Sequence, residues 1–239
     1  MTIEEQGRKI AVANPFYKIT FFDGRGDYTG VEFTGFSNKL QFYCTSSMLY
    51  ETKRMYFPNA QSKKEIEQSP DGREIRLLFS ENITSESYNV VCRIKYTFYN
   101  DRPVFKYEAE IVQDPIVQWG GSLNTWNFGK EICEKLMPYY RTGPLPAKNG
   151  VLLEQGGNSI MAGDWKREYK YFAICDKINA VGMITPSRDD AFIYVYEKGN
   201  GYITGSGIKM DGKVFRTAHY VYLGPEEGLA GWANKLYLH

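Results

Sequence analysis

The feature that most narrows the folds open to this chain is a matched pair of alternating segments. Over 88–98, Tyr88, Val90, Cys92, Ile94, Tyr96 and Phe98 take every second position, and Asn89, Arg93, Lys95 and Thr97 fall between them. After Asn100-Asp101-Arg102 the pattern returns in 103–112, with Phe105, Tyr107, Ala109 and Ile111 on one side and Lys106, Glu108 and Glu110 on the other. A period of two belongs to a strand with one buried face, because successive side chains take opposite faces. The short polar turn makes the two strands antiparallel neighbours and sets outward Lys and Arg against outward Glu. Strands of this length suit a broad sheet better than a small barrel.

The flanking sequence extends the pattern. Residues 16–22 (FYKITFF) and 31–36 (VEFTGF), either side of Asp23-Gly24-Arg25-Gly26-Asp27, predict that the chain begins with a hairpin whose glycines supply positive φ. A strand at 40–44 leads into 45–72, rich in Ser, Lys, Glu and Gln and interrupted by Pro58 and Pro70, which reads as an irregular excursion over a sheet face. Another strand follows at 74–79. The middle, 117–150, loses alternation and carries Pro138, Pro144 and Pro146, so it reads as a long structured loop with room for a short helix at Lys130–Met137. Further strands are expected at 151–154, 159–162, 169–175, 180–185, 191–196, 201–208, 213–223 and 234–238, with Asp211-Gly212 as a hairpin turn. About fourteen strands and little helix define an all-β chain, a large antiparallel β-sandwich forming a single domain over 1–239.

Charge excludes some partners. With 29 basic and 28 acidic side chains, the chain lacks the broad basic footprint of a nucleic-acid binder and any polybasic membrane anchor. No apolar stretch approaches a membrane span. The start, MTIEEQGRKIAVA, has acids where a secretory signal carries bases, so the expected location is cytoplasmic, or extracytoplasmic if the chain is a processed product. Cys44, Cys92, Cys133 and Cys175 are widely spaced and read as free, buried thiols, although an even count permits two disulfides in an oxidising compartment. No cluster has metal-ligand spacing, no loop has the strand–glycine–helix context of a phosphate site, and no nucleophile motif occurs, so neither metal nor cofactor is expected. Asp23 with Asp27, Asp189 with Asp190, the Arg25-Gly26-Asp27 tripeptide and the Asn82-Ile83-Thr84 sequon are better explained as polar turns or chance matches.

What stands out chemically is the aromatic content, 15% of residues from 19 Tyr, 14 Phe and 4 Trp. It is concentrated with amides in Val117–Gly129 (VQWGGSLNTWNFG). An indole face against the C–H face of a sugar, beside amides that satisfy hydroxyls, is one use of Trp119, Asn124 and Trp126; the other is as core plugs beside a glycine-rich bend. Because it follows the long 103–112 strand, this stretch is expected at a sheet edge or cleft mouth beside Tyr139, Tyr140 and Arg141.

Three stretches together resemble the galactose-mutarotase-like β-supersandwich, the two-sheet fold of aldose epimerases, of accessory domains of glycoside hydrolases and polysaccharide lyases, and of the periplasmic domain of a bacterial membrane-protein insertase. They are the opening NPFYKITFFDGRGDYTGVEFTG, the long pair 88–112, and AGDWKREYKYFAI (162–174) followed by TAHYVYLGPEE (217–227). The resemblance implies a sugar-binding sheet surface. Aldose epimerases use a His and Glu pair on the sugar ring, but the histidines here are His219, inside a strand, and His239, the last residue. The resemblance therefore points to carbohydrate binding or polysaccharide processing rather than epimerisation.

Candidate chemistry follows from that. A polysaccharide lyase needs a base and a cation that neutralises a uronate, roles open to the adjacent Tyr140 and Arg141. A hydrolase needs two carboxylates, for which Asp164, beside Trp165, with Glu154 is the nearest combination. His219 is a candidate base, with a hydrogen-bonded, half-buried ring as the plainer reading. Tyr139, Trp165 and Arg167 join Trp119, Asn124 and Trp126 as ligand-binding candidates. The alternative class is a non-catalytic module that forms a homo-oligomer through its aromatic surface.

Overall fold

The computed structural model describes residues 1–7, 9–21, 29–32, 41–50, 53–56, 62–84, 86–116, 119–128, 139–144, 151–152, 169–175, 179–184, 191–198, 201–210 and 212–237, with side chains at 1–7, 9–21, 62–84, 86–116, 180–184 and 212–236. One sheet places β1 (Thr2–Gln6), β2 (Lys9–Ala13), β3 (Lys18–Phe21), β4 (Thr29–Glu32), β5 (Gln41–Tyr50), β11 (Trp119–Phe128), β17 (Gly201–Met210) and β16 (Ala191–Lys198) side by side, with β6 (Lys53–Tyr56) also paired to β5. The second runs β13 (Val151–Leu152), β12 (Tyr139–Pro144), β14 (Tyr169–Cys175), β15 (Asn179–Ile184), β18 (Val214–Pro225), β10 (Val104–Asp114), β9 (Asn89–Tyr99), β8 (Glu74–Thr84) and β7 (Lys63–Gln68). Each is a nine-stranded antiparallel sheet. The helix α1 (Glu226–Tyr237) follows β18 directly.

The alternating pair forms as its pattern requires. Glu108 registers with Lys95 and Glu110 with Arg93, and on the other side Glu110 registers with Arg216. Glu110 accepts from Arg93 at 2.6 Å and from Arg216 at 2.7 Å, and both guanidiniums hold its carboxyl below the ordinary range. Burial raises the Glu108 carboxyl, yet Lys95 at 2.7 Å and Lys106 at 2.9 Å bring it below its ordinary value. Thr97, expected outward and exposed, lies on that outer face but is only 6% exposed, in register between Arg76 and Lys106.

The inner faces meet through rings. Phe21 of β3 lies 5.0 Å from Tyr96 and 6.0 Å from Phe98, and Tyr17 lies 6.1 Å from Phe105. Ile75, Leu77, Ile94, Tyr107 and Val221 extend this core along the second sheet. At one end of the sandwich Lys64 of β7 meets Glu5 of β1 at 2.9 Å, tying together the two outermost strands.

Several expectations need correction. Eighteen strands, rather than about fourteen, are found among the described residues. The hairpin of β3 and β4 is present, but β1 and β2 precede it. The 45–72 segment holds the end of β5, then β6 and β7, where polar residues alternate on peripheral strands with little to bury. The middle contains β11 and β12 rather than a loop. Residues 234–237, expected as strand, belong to α1, because Leu229, Ala233 and Leu236 recur at helical spacing and bury together. Glu226 and Glu227 in its first turn and Lys235 in its last match the helix dipole. Its apolar stripe covers Val104, Ala180, Ile184 and Tyr222 on the outer face of the second sheet. The turn at 23–27 and the helix expected at 130–137 lie outside the described residues.

Candidate functional site

β11 is an interior strand, between β5 and β17, so Trp119–Phe128 does not lie at a sheet edge, one of the two positions expected for this stretch. Its register shifts by one against β17 between Leu123 and Trp126, and by one against β5 between Ser122 and Thr125. Asn124 lies in both intervals: β11 carries one residue more than either neighbour, a β-bulge. Two residues seven apart in a regular strand would take opposite faces. The extra residue puts Trp119 and Trp126 on the same one. A single row of register partners runs Ile10, Phe21, Thr29, Cys44, Trp126, Thr204, Val195 across seven strands. Ile10 and Phe21 in that row are buried, so both tryptophans fall on the face that carries the core.

The opposite, outer face of this sheet is made by the intervening rows. One row is Tyr43, Asn127, Ile203, Tyr196; at the bulge Thr45 pairs with Thr125, and Gly205 pairs with Tyr194; a third row is Tyr56, Ser47, Ser122, Gly207, Phe192. Aromatic positions thus stand on β16 at one side and on β5 and β6 at the other. Between them lie two strands that carry glycine, hydroxyl and amide residues together with Ile203, with Asn124 at the bulge. Glycine within a strand lets another molecule approach the backbone closely. Such a face offers rings for stacking at its borders and hydrogen-bonding groups at its centre. Sequence reasoning missed Tyr43, Tyr56, Phe192, Tyr194 and Tyr196. The alternation in FIYVYEK and the glycines of GYITGSGIKM were available signals, but which strands they join was not.

The other candidates are placed as follows. Arg141 registers through Ala173 and Gly182 with Tyr222, on the α1 side of the second sheet, and Tyr139 falls on that same side through Cys175 and Ala180. Tyr140 registers through Ile174 and Val181 with Leu223, on the core face. Neighbours on a strand take opposite faces, so register puts Tyr140 and Arg141 on different faces of the second sheet. β12 belongs to the other sheet from β11.

His219 is fully buried rather than half-buried. Its ring stacks on Tyr107 at 4.7 Å with 26° between planes, and burial lowers its pKa from 6.5 to about 3, leaving it neutral. In this position it does not meet a ligand from solvent. Asp164, Trp165 and Arg167, with Glu154, lie outside the described residues. Cys92 is a buried thiol whose ionisation burial opposes. No group of three or more metal-ligating side chains occurs among the described residues, and no helix among them is long and apolar enough to cross a membrane.

No protein-family model and no curated protein sequence matches the chain. Solved structures do. A galactose mutarotase-related enzyme from Lactobacillus acidophilus aligns over 90% of this chain and 97% of its own, with a TM-score of 0.50 and 14% identity. A GH36 α-galactosidase from Geobacillus stearothermophilus aligns at a TM-score of 0.60 and 9% identity, over 91% of this chain and 40% of that one. A TPR-domain containing protein from Parabacteroides distasonis aligns at 0.60 and 10% identity, over 90% of this chain and 47% of that one. This chain therefore spans less than half the length of the latter two. The likeness is one of fold: the two-sheet antiparallel β-sandwich is similar to that of a galactose mutarotase-related enzyme. Fold alone does not carry function.

Proposed function

We propose that this chain, a β-supersandwich forming one domain over residues 1–239, recognises carbohydrate on the outer face of its first sheet. The observation that carries the reading is the set of rows in which Tyr43, Tyr56, Phe192, Tyr194 and Tyr196 border a centre of Gly205, Gly207, Ser122, Thr125 and Asn127. Rings stack on the C–H faces of sugars, and uncharged donors and acceptors satisfy their hydroxyls. Solved structures of similar fold include an α-N-acetylgalactosaminidase from Bifidobacterium bifidum in complex with GalNAc, which supports a sugar-related role without naming the sugar. Elimination or hydrolysis of a polysaccharide on this face would draw on Asp164, with Trp165 and Arg167 as ligand-binding neighbours; Tyr139 and Arg141 register on the outer face of the second sheet, away from it. Epimerisation has no support, because His219 is buried and neutral.

Glycan-array binding of wild type, Tyr194→Ala and Trp126→Ala tests the site. Tyr194→Ala loses the glycan and keeps wild-type stability, whereas Trp126→Ala, on the core face, destabilises by about 3–5 kcal/mol. Wild-type glycan binding by Tyr194→Ala would move the site elsewhere. Absence of any glycan signal, with no sugar shifting the tryptophan fluorescence, ends the carbohydrate reading.

A second reading, a non-catalytic module that self-associates, is favoured by one observation: the aromatic positions of β16 lie on an edge strand, open to strand addition. Sedimentation showing a dimer that Tyr194→Ala dissolves, without glycan binding, would support it.

A further inference from the structure

The charged positions of the two outer faces differ in kind. On the second sheet Arg93, Lys95, Lys106 and Arg216 each have a carboxylate within 2.9 Å. On the outer face of β5, β6, β11, β16 and β17, register places Arg54, Lys198 and Lys209 and, among the described residues, no acidic residue. Glu197 of β16 registers with Tyr202 and falls on the core face. Among the described residues, the nearest acidic position on the outer side is Glu32 of β4, which registers with Gln41 of β5 and with Lys18 of β3. The cations stand at opposite ends of the aromatic rows. Arg54 pairs with Leu49, Leu49 with Gly120 and Gly120 with Lys209 in one terminal row, and Lys198 pairs with Gly201 in the other. At the rise of a strand, Lys209 and Gly201 are about 26 Å apart along β17.

We infer that the occupant of this face is an extended anionic polysaccharide, one bearing uronate or sulfate groups. The inference rests on the carbohydrate reading above and names its ligand class. A monosaccharide cannot reach cations at both ends of the face, and a neutral glycan gains nothing from an arrangement of one sign. A single nucleic-acid strand could also use rings and cations. It carries a charge on every nucleotide, however, and three cations over such a length are too sparse to track it.

Binding of polygalacturonate, a neutral galactan and poly(dT) to the full chain, measured by affinity electrophoresis and calorimetry, tests this. Polygalacturonate binds, its affinity falls as salt is raised, and Arg54→Gln with Lys209→Gln weakens it about tenfold while neutral galactan is unaffected. If the double variant does not fold, the salt titration of the wild type decides, and salt-independent binding overturns the inference. Neutral galactan bound as tightly as polygalacturonate overturns the anionic ligand class but leaves the carbohydrate reading standing. Binding of neither polymer overturns the anionic ligand class, and the glycan array then decides the carbohydrate reading. Poly(dT) bound more tightly than polygalacturonate replaces the ligand class with single-stranded nucleic acid.

Discussion

At the scale of single residues, His219 and Asn124 show what a pattern of residue types conveys and what it withholds. The position of His219 in RTAHYVYLG marks it as a strand residue, but its depth depends on Tyr107 stacking from β10 and on the opposing sheet. Its folded pKa lies below its unfolded value, so the unfolded chain takes up a proton first as pH falls. Stability is therefore full above about 6.5 and is lost progressively down to about 3, by about 1.4 kcal/mol per pH unit within that window. His219→Phe keeps a ring against Tyr107 and removes the titration, so its stability, followed by denaturant melts, should be flatter between those pH values than that of wild type. An equal acid dependence in both would assign the effect to carboxylates. Asn124 is legible as a polar residue among aromatics. That it is the extra residue of a bulge, and so reverses the parity of Trp126, becomes visible only against β5 and β17.

At the scale of elements, legibility followed regularity. β9 and β10 were readable because both faces keep a period of two without interruption and have a charged outer side. β11 was not, since its bulge and paired glycines break the alternation, and only hydrogen bonding to two neighbours makes it a strand. α1 was half hidden for a different reason: Leu236-Tyr237-Leu238 satisfies a strand locally, while the helical spacing of Leu229, Ala233 and Leu236 acquires meaning from the sheet face it covers. That contact is tight. A Cβ at Gly228 would stand 2.6 Å from the hydroxyl of the buried Tyr222, and that hydroxyl donates to the carbonyl of Pro225. Gly228→Ala should therefore destabilise by about 1–3 kcal/mol, although alanine is favoured in helices by about 1 kcal/mol. A thermal melt of the variant above that of wild type would show that the ring yields freely.

At the scale of the whole molecule, the two sheets are joined by side chains far apart in sequence. Asn14, between β2 and β3, donates to the carbonyls of Tyr99 and Arg102 and accepts from the amides of Phe16 and Tyr17. Nearby, Tyr17 donates to the carbonyl of Val104. Asn14→Ala leaves those groups short of partners and should cost about 2–3 kcal/mol, with the far-ultraviolet sheet signal and the aromatic signal melting together because the sheets share one core. Separate transitions would mean that the sheets unfold independently. The sequence by itself determined the class of fold, because alternation, turn residues and aromatic enrichment are local consequences of a chain that buries one face of each strand. Tertiary structure alone decided which strands are neighbours, which face each row takes, and so which residues form the candidate site. The reason is physical: a strand's side chains alternate whatever lies beside it, but pairing across the sheet is set by contacts between segments as distant as β5, β11 and β17. Such contacts leave no period in the sequence.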